Sequence, residues 1–458
     1  MPIVEVLTVV GYSFCLIVGI LYALRSKAYP INSFLMLWSV GILVISNVPI
    51  ILFHHYTNDT SFFYKLSWDQ VFLGTKINLL FLGCWIVGFV LANKLRLVSS
   101  VNLFKKRFLS ASVFFLGLTG VAYIYYYTQN YSYGFSNELY GSNSSELRSF
   151  GVIGSYKNLF LPFATAGLIV YYNRRKGLEI NENYKNKILK YFFWVVLLSS
   201  IFVGAIYDLQ RGDIVRSILY IAIIALYKGI RIKKIIYVTL LLGVALFALS
   251  PIFDILRLKG FYNKEVSIEN LRGVFSNERA LRHARVGEKG IFSLENVITQ
   301  LARKNVLPKS TAALKQYADR EGHVYFRTYA TIPYDLIPRF IFPNKPVTLS
   351  IDETKGSMAA AISGREIGLT KARTWESGGG NFYWQFSWLG VILGGCIMGA
   401  LWCITIKYAF YGKSFFFLVI VLGFFNWGQF MILSLDNYFV DIIRGFKGML
   451  LFLSLIHI

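Results

Sequence analysis

The stretch "IVEVLTVVGYSFCLIVGILYAL", residues 3–24, decides the class of fold, because Glu5 is the only charged residue in 22 largely apolar positions. A helix needs about 20 such residues to cross the hydrocarbon core of a bilayer. The run has no basic segment before it and is long enough to span by itself, so we expect no cleaved signal peptide. The 458-residue chain is 55% hydrophobic, with a mean hydropathy of +0.51. The sequence therefore predicts an all-α polytopic integral membrane protein.

Further apolar runs follow along the whole chain. They predict about eleven transmembrane helices, at roughly 3–24, 31–53, 71–92, 108–127, 157–173, 191–207, 214–228, 235–253, 385–406, 414–434 and 438–458. The last run is the weakest, because three charged residues interrupt it. Four cysteines lie within such runs, and we expect them to pack as small core residues without forming disulfides; they are Cys15, Cys84, Cys396 and Cys403.

The short connections between these runs alternate in charge. One set, which includes the connection with Lys407 and Lys413, holds 19 Lys and Arg against two acids. The other set holds three Lys and Arg against seven acids. Because basic connections stay in the cytoplasm, the N-terminus is expected outside and the C-terminus inside. The net charge of +23 then largely reflects topology, and nucleic acid is not an expected partner.

One connection is unlike the rest. Residues 254–383 separate helices 1–8 (1–253) from helices 9–11 (384–458), and a connection this long is usually functional. Within it, we expect Pro308 to stop one helix, and Ser310 to open another that Gly322 closes. The loop carries 20 Lys and Arg against 13 Asp and Glu. Long loops escape the topology rule, so an anionic ligand is the simplest reason for this excess.

The hairpin "YDLQRGDIVRS", residues 207–217, places four charges between two apolar runs. Arg216 lies one turn inside the seventh predicted helix, a costly depth for an unused charge. Arg211 lies beside Gly212, where the backbone can approach a ligand closely. The two arginines are candidates for holding an anionic group. The alternative is that both reach the membrane interface and pair with Asp208 and Asp213.

Two further stretches in the long loop hold candidate residues. In "DLIPRFIFPNKP", residues 335–346, three prolines fix the backbone around Arg339 and Lys345, which suit a phosphate; the alternative is a rigid connector. In "TWESGGGNFYWQFSWLGVILGG", residues 374–395, Glu376 could act as a general base beside flexible glycines and a cavity rim. The alternative there is an interfacial aromatic belt with a glycine hinge.

Other basic residues are weaker candidates for contacts with substrate or anionic lipid. Arg282 and Arg285 share a helical face, which could equally be a solvated surface. Arg444 could instead pair with Asp441. The remaining members of the candidate substrate-binding set are Arg257 and His323, of which His323 is a second candidate base.

Several kinds of chemistry are not expected. The five histidines make no metal-ligand spacing, and the chain has neither a Walker loop nor a GxGxxG fingerprint in a βαβ unit. We therefore expect no metal and no cofactor. Without a nucleotide domain, the energy for any reaction must arrive with the substrate or from the membrane gradient.

Taken together, these stretches resemble one family, the Wzy-type oligosaccharide repeat-unit polymerases of bacterial surface polysaccharides (O-antigen polymerases). The resemblance rests on many spans with one large late loop, "QRGDIVRS", "IPRFIFPNKP" and "NFYWQFSWLGVILGG". It implies an integral-membrane glycosyltransferase architecture in the bacterial inner membrane, with the loop and the N-terminus in the periplasm. The implied substrate is an oligosaccharide repeat unit on a polyprenyl diphosphate, and a chain-length regulator could be a partner.

The resemblance also implies roles for the candidate residues. Arg211 and Arg216 would hold one lipid diphosphate, Arg339 and Lys345 would close over it, and Glu376 or His323 would accept a proton from the acceptor hydroxyl. Two other functions stay open. A ligase would move finished glycan to another acceptor with similar arginines, and a glycolipid transporter would use them as a translocation path.

Overall fold

A computed structural model of the chain describes residues 1–25, 29–56, 66–95, 113–121, 159–172, 184–203, 211–248, 298, 302, 306–326, 378–412, 414–426, 438 and 442. These residues form helices and short connections, with no strand among them. The helices are α1 (Ile3–Arg25), α2 (Pro30–Tyr56), α3 (Trp68–Lys94), α4 (113–121), α5 (Leu159–Tyr172), α6 (Tyr184–Val203), α7 (Arg211–Lys228), α8 (Ile232–Ala248), α9 (Val306–Glu321), α10 (Gly378–Tyr411) and α11 (Phe415–Asn426).

Within this described part, four helices are long and apolar enough to cross a membrane: α1, α2, α3 and α10. Each coincides with a span predicted from the sequence, so the class of helical membrane protein is confirmed. The total of about eleven spans stays a prediction.

Helix α1 shows how a membrane helix distributes its side chains. Its buried residues are polar or small and recur every three to four positions; they are Glu5, Thr8, Tyr12, Cys15, Gly19 and Ala23. Large apolar residues occupy the opposite face and are 46–76% exposed; they are Ile3, Leu7, Val10, Phe14, Ile17 and Leu21. A helix that buries its small residues and exposes its large apolar ones has lipid, and not water, as its solvent.

The described chain divides into two compact units. The first comprises Met1–Val98, Ile298–Lys407 and Gln429–Arg444, and the second comprises Ser99–Val297, Tyr408–Gly428 and Gly445–Ile458. The first unit therefore contains α1–α3, α9 and most of α10. The second contains α4–α8 and α11.

In the first unit, α9 packs on α3 at Gly74. A Cβ at Gly74 would overlap the carbonyl oxygen of Pro308, so only glycine permits this approach. One turn further on, the Thr311 hydroxyl donates to Oδ1 of Asn78 at 2.9 Å, and the Asn78 amide donates to Oδ1 of Asn47 at 2.9 Å. A buried polar chain thus fixes α9 against α2 and α3.

The start predicted for this loop helix is wrong, and its end is confirmed. Helix α9 begins at Val306, contains Pro308 in its first turn and buries Ser310 completely. Proline has no N–H, but the N–H groups of the first turn make no helical hydrogen bond in any case. Pro308 is therefore accommodated in the first turn of α9. Gly322, with a φ of +91°, ends the helix as predicted, and its N–H donates to the Ala318 carbonyl at 2.9 Å.

Helix α10 is broken near its start. Phe386 and Ser387 leave helical geometry, which separates a first segment (378–385) from a second segment (388–411). Side chains of the first segment fold back on the second, since a Cβ at Gly394 would meet the Phe382 ring. The glycines at 378–380, expected to form a flexible hinge, are buried and helical, and the chain turns at Ser387 instead.

The second segment of α10 packs closely along α3 through glycines. A Cβ at Gly399 would overlap the Trp85 carbonyl oxygen, and one at Gly88 would overlap the Cys396 carbonyl oxygen. Gly395 and Gly399 are four residues apart, so they lie on one helix face and let the two backbones touch. Such small-residue seams replace the hydrophobic effect as the source of helix association in lipid.

The sequence predicts that Lys407 lies in a basic connection between helices. The structure places it within α10 instead. It is 1% exposed, and its Nζ donates to the carbonyl oxygens of Ala92 at 3.2 Å, Asn93 at 2.5 Å and Leu95 at 2.9 Å. These carbonyls belong to the carboxyl end of α3, where a cation is favoured by the helix dipole.

In the second unit, tyrosine hydroxyls join α7 to its neighbours. The Tyr220 hydroxyl donates to the Leu422 carbonyl on α11 at 2.8 Å, and the Tyr227 hydroxyl donates to the Phe410 carbonyl at 2.6 Å. Both tyrosines are buried. Each satisfies its own hydroxyl inside an apolar packing layer.

Candidate functional site

The candidate functional residues of the first unit lie where α9 ends and where α10 is broken. After Gly322, the Val324 N–H donates to the Trp384 carbonyl at 3.2 Å and the Tyr325 N–H donates to the Gln385 carbonyl at 3.3 Å. The first segment of α10 would otherwise end with unpaired carbonyls inside the protein. Residues 322–326 therefore cap this segment and are held in place by it.

The backbone at this junction is strained. Among the described residues, the non-glycine residues with positive φ are Tyr325 at 42°, Phe326 at 63° and Ser387 at 55°, and all three lie here. Such a conformation costs about 1–3 kcal/mol per residue and persists only where the surroundings enforce it. The enforcing contact for Phe326 is a 2.9 Å hydrogen bond from its N–H to Oε1 of the fully buried Gln385.

Three side chains, Lys315, Asp319 and Tyr383, join α9 to the first segment of α10 and are called the trio below. Lys315 and Asp319, one helical turn apart on α9, form an ion pair, and the Tyr383 hydroxyl donates to Oδ1 of Asp319 at 2.9 Å. The Lys315 ammonium also lies 5.4 Å from the centre of the Tyr383 ring. The Asp319 side chain is 44% exposed, so the carboxylate is both held and accessible.

The pKa of Lys315 follows from these contacts. Partial burial by itself lowers that pKa, but the hydrogen bond to Asp319 and the charges around it outweigh burial, and the pKa is raised above its ordinary value. Lys315 therefore stays protonated at neutral pH, and its charge balances that of the carboxylate.

His323 stands beside this trio. Its Nδ1 is 3.3 Å from the Trp384 carbonyl oxygen, and its ring meets the Tyr383 and Tyr325 rings edge to face, at 5.8 Å and 6.1 Å between centroids. In the tautomer that carries Nδ1–H, the ring donates to this carbonyl and Nε2 is the proton acceptor.

Aromatic rings extend from the trio on both sides. Tyr325 and Phe326 meet Phe386 edge to face, at 5.7 Å and 4.5 Å, and Tyr383 meets Trp388 at 5.5 Å. Three of these side chains are well exposed: Tyr325 by 63%, Phe326 by 59% and Trp388 by 42%. The site thus combines a carboxylate, an ammonium and an imidazole with accessible ring faces.

The structure places few of the residues predicted from the sequence. His323 lies in the site just described. Arg216 is half-buried on α7 in the second unit, and Arg211 is the first residue of α7. The other candidates lie outside the described residues; they are Arg257, Arg282, Arg285, Arg339, Lys345, Glu376 and Arg444.

The sequence reasoning missed Lys315, Asp319 and Tyr383. The Lys–Asp spacing of four residues is a signal for an ion pair on one helix face and could have been found. Asp319 and Tyr383 are 64 positions apart in the sequence, so no local pattern predicts their contact.

The arrangement suits binding and deprotonation of a hydroxyl group more than metal chemistry. Across the described ranges, no three His, Cys, Asp or Glu side chains come together as metal ligands would. A half-exposed carboxylate can accept a hydrogen bond from an alcohol and take its proton.

No family model, no curated protein and no solved structure matches this chain. The functional argument therefore rests on the residues and their geometry.

Proposed function

We propose that this protein is an integral-membrane glycosyltransferase that polymerises polyprenyl-diphosphate-linked oligosaccharide repeat units at the periplasmic face of the bacterial inner membrane. One observation carries the proposal: the accessible Asp319 carboxylate, held by Lys315 and Tyr383, is joined through Tyr383 to a run of partly exposed aromatic rings where a candidate membrane helix begins. Carboxylates and ring faces are the groups that hydrogen-bond and stack on sugars, and lipid-linked sugars are presented at a membrane surface.

The reaction asks two things of the protein. The acceptor hydroxyl oxygen forms a bond to the anomeric carbon of the growing chain, while the bond from that carbon to the lipid diphosphate breaks and its electron pair leaves on the diphosphate. The hydroxyl proton must pass to a base. We assign this role to Asp319, which extends the earlier candidates Glu376 and His323.

The lipid diphosphate is a built-in leaving group, so the reaction needs no nucleotide. Its developing charge calls for preorganised cations in a water-poor setting, where electrostatic interactions are strong. The residues proposed for this role from the sequence are Arg211 and Arg216 in the hairpin at 207–217, and Arg339 and Lys345 in the long loop; each pair stays a separate proposal.

The membrane setting supports a lipid-linked substrate. Helix α1 exposes large apolar side chains along its whole length, and α8 exposes Tyr237 by 74% and Leu241 by 71%. A protein with such faces is surrounded by lipid, and a polyprenyl chain in the same bilayer reaches it by diffusion in two dimensions. The layout of about eleven spans, with the N-terminus in the periplasm and the C-terminus in the cytoplasm, and a chain-length regulator as partner belong to the same proposal.

The test uses the purified full-length protein in lipid nanodiscs, supplied only with the polyprenyl-diphosphate repeat unit. We expect a ladder of multiples on a gel, formed without added nucleotide. Single units that remain unchanged until a lipid core acceptor is added would replace the polymerase with a ligase. No transfer under either condition, together with movement of the lipid-linked unit across a vesicle membrane, would replace it with a transporter.

A further inference from the structure

Five aromatic rings and an imidazole form one continuous run, which Asp319 joins through its hydrogen bond from Tyr383. The contacts proceed from Phe326 to Phe386, Tyr325, His323, Tyr383 and Trp388, with successive centroids 4.5–6.1 Å apart. The run crosses from the segment after α9 to both sides of the break in α10. Two separate parts of the chain, about 60 residues apart, therefore build one surface.

The exposed members of this run are held in unusual backbone conformations. Tyr325 and Phe326 adopt left-handed φ values of 42° and 63° while exposing 63% and 59% of their surface. Burial within the protein cannot account for that strain, because both rings remain mostly exposed. Strain without burial is typical of positions where a side chain is presented to a ligand.

The polar groups along the run indicate the chemistry of that ligand. Asp319 accepts a hydrogen bond from Tyr383, a member of the run, its side chain is 44% exposed, and its charge is balanced by Lys315. A carboxylate accepts hydrogen bonds from hydroxyl groups and repels phosphate. Aromatic faces attract the C–H faces of sugar rings, and a polar edge beside them satisfies the sugar hydroxyls.

A membrane anchor explains these observations less well. Aromatic belts place Trp and Tyr at the level of the lipid head groups, and they need neither a strained backbone nor a carboxylate at their centre. A belt residue also faces lipid from a regular helix, as Tyr237 does on α8 with 74% exposure. Tyr325 and Phe326 instead lie in a turn whose N–H groups donate to oxygen atoms of Gln385 and Trp384.

We propose that Tyr325, Phe326 and Trp388 form a subsite that binds the pyranose rings of the acceptor oligosaccharide, with Asp319 hydrogen-bonded to a sugar hydroxyl. The ligand class is an uncharged hexose-type glycan, recognised through ring faces and hydroxyls and independently of its lipid diphosphate. The identity of that glycan as the acceptor rests on the proposed function.

The experiment titrates full-length protein in nanodiscs with the repeat-unit oligosaccharide released from its lipid by mild acid, so that no diphosphate is present. Binding is measured by calorimetry for the wild type, Y325A, F326A and W388L. The matched control is Y237A, which removes an equally exposed tyrosine from α8. Y325F and W388F keep the ring face and test whether stacking itself matters.

We expect the dissociation constant to rise by about tenfold in each ring-removing variant and to change less than about twofold in Y237A and Y325F. Equal binding by the wild type, Y325A, F326A and W388L would overturn the subsite. So would an equal loss of affinity in Y237A, since that ring lies outside the proposed subsite. Leucine in W388L keeps an apolar side chain at this position. If W388L elutes from a size-exclusion column at the wild-type volume, reduced binding is due to loss of the ring and not to misfolding.

The two proposals fail separately. A wild-type ladder together with ring-independent oligosaccharide binding would leave the polymerase standing and remove the subsite. Ring-dependent oligosaccharide binding without any ladder would leave the subsite standing and remove the polymerase.

Discussion

The Tyr383 hydroxyl donates a 2.9 Å hydrogen bond to Oδ1 of Asp319 and so joins α9 to the first segment of α10. The partners are 64 positions apart, and the Tyr383 ring also meets the ring of His323, at 5.8 Å between centroids. Because Lys315 holds Asp319 as well, the orientation of the carboxylate does not depend on one contact.

We expect D319N to reduce chain growth by at least about 100-fold, since positioned bases typically contribute 10²–10⁴ in rate. Asparagine keeps the size of the side chain but cannot take a proton. The measurement is the initial rate of ladder formation in nanodiscs. D69N is the control, because Asp69 is an exposed carboxylate at the start of α3, away from the site. A full rate in D319N would remove Asp319 from the reaction.

The substitution Y383F tests positioning without touching the proton acceptor. We expect a loss of about tenfold or more in kcat with a smaller change in KM, because a hydrogen bond to a charged group is worth about 1.5–3 kcal/mol and the carboxylate keeps its contact with Lys315. A purely structural role would lower thermal stability and leave kcat of the folded fraction unchanged.

Gly74 and Gly83 on α3 form a matched pair for testing how α9 is docked. A Cβ at Gly74 would overlap the Pro308 carbonyl, whereas Gly83 has open space around it. We expect G74A to lower the melting temperature in detergent and to increase cleavage by protease between α8 and α9, with G83A unchanged or slightly more stable. Similar behaviour of the two variants would contradict the close approach of α9.

Lys407 should be needed for stability and not for charge at the membrane surface. In K407M, the Asn93 and Leu95 carbonyls at the end of α3 lose the lysine donor, whereas the Ala92 carbonyl keeps its hydrogen bond from the Leu95 N–H. A buried unsatisfied group costs about 1–3 kcal/mol. We expect a clear loss of thermal stability, measured in detergent. K228M, which removes an exposed lysine from the end of α7, should be close to wild type. An equal effect of both changes would argue against the cap.

The ion pair of α9 predicts a pH dependence of stability. Since the folded-state pKa of Lys315 is raised above its ordinary value of 10.5, the protonated lysine stabilises the fold fully below that value. This contribution disappears as pH rises through the higher folded-state pKa. The melting temperature of wild type should therefore exceed that of K315M at pH 8, and the gap should narrow above about pH 10.5. A gap that does not change with pH would mean that Lys315 contributes through packing alone.

Much of the architecture follows from local sequence. The run at residues 3–24 predicts α1 to within one residue of its observed end at Arg25, because length and apolar content are local properties. Gly322 likewise predicts the end of α9, since a left-handed φ favours glycine wherever it occurs. His323 entered the candidate set as a base and lies in the observed site.

Other features depended on contacts that no local pattern contains. Serine is a common helix N-cap, yet Ser310 is buried inside α9, because that helix packs on α3 through Gly74. Lysine is typical of cytoplasmic loops, yet Lys407 caps a helix whose last carbonyls are more than 300 positions away in the sequence. The sequence by itself thus determined where apolar helices form, because burial in lipid depends on composition over about 20 residues. Only the tertiary structure decided which polar groups meet, because Lys315, Asp319 and Tyr383 become a site only when α9 is packed against the broken start of α10.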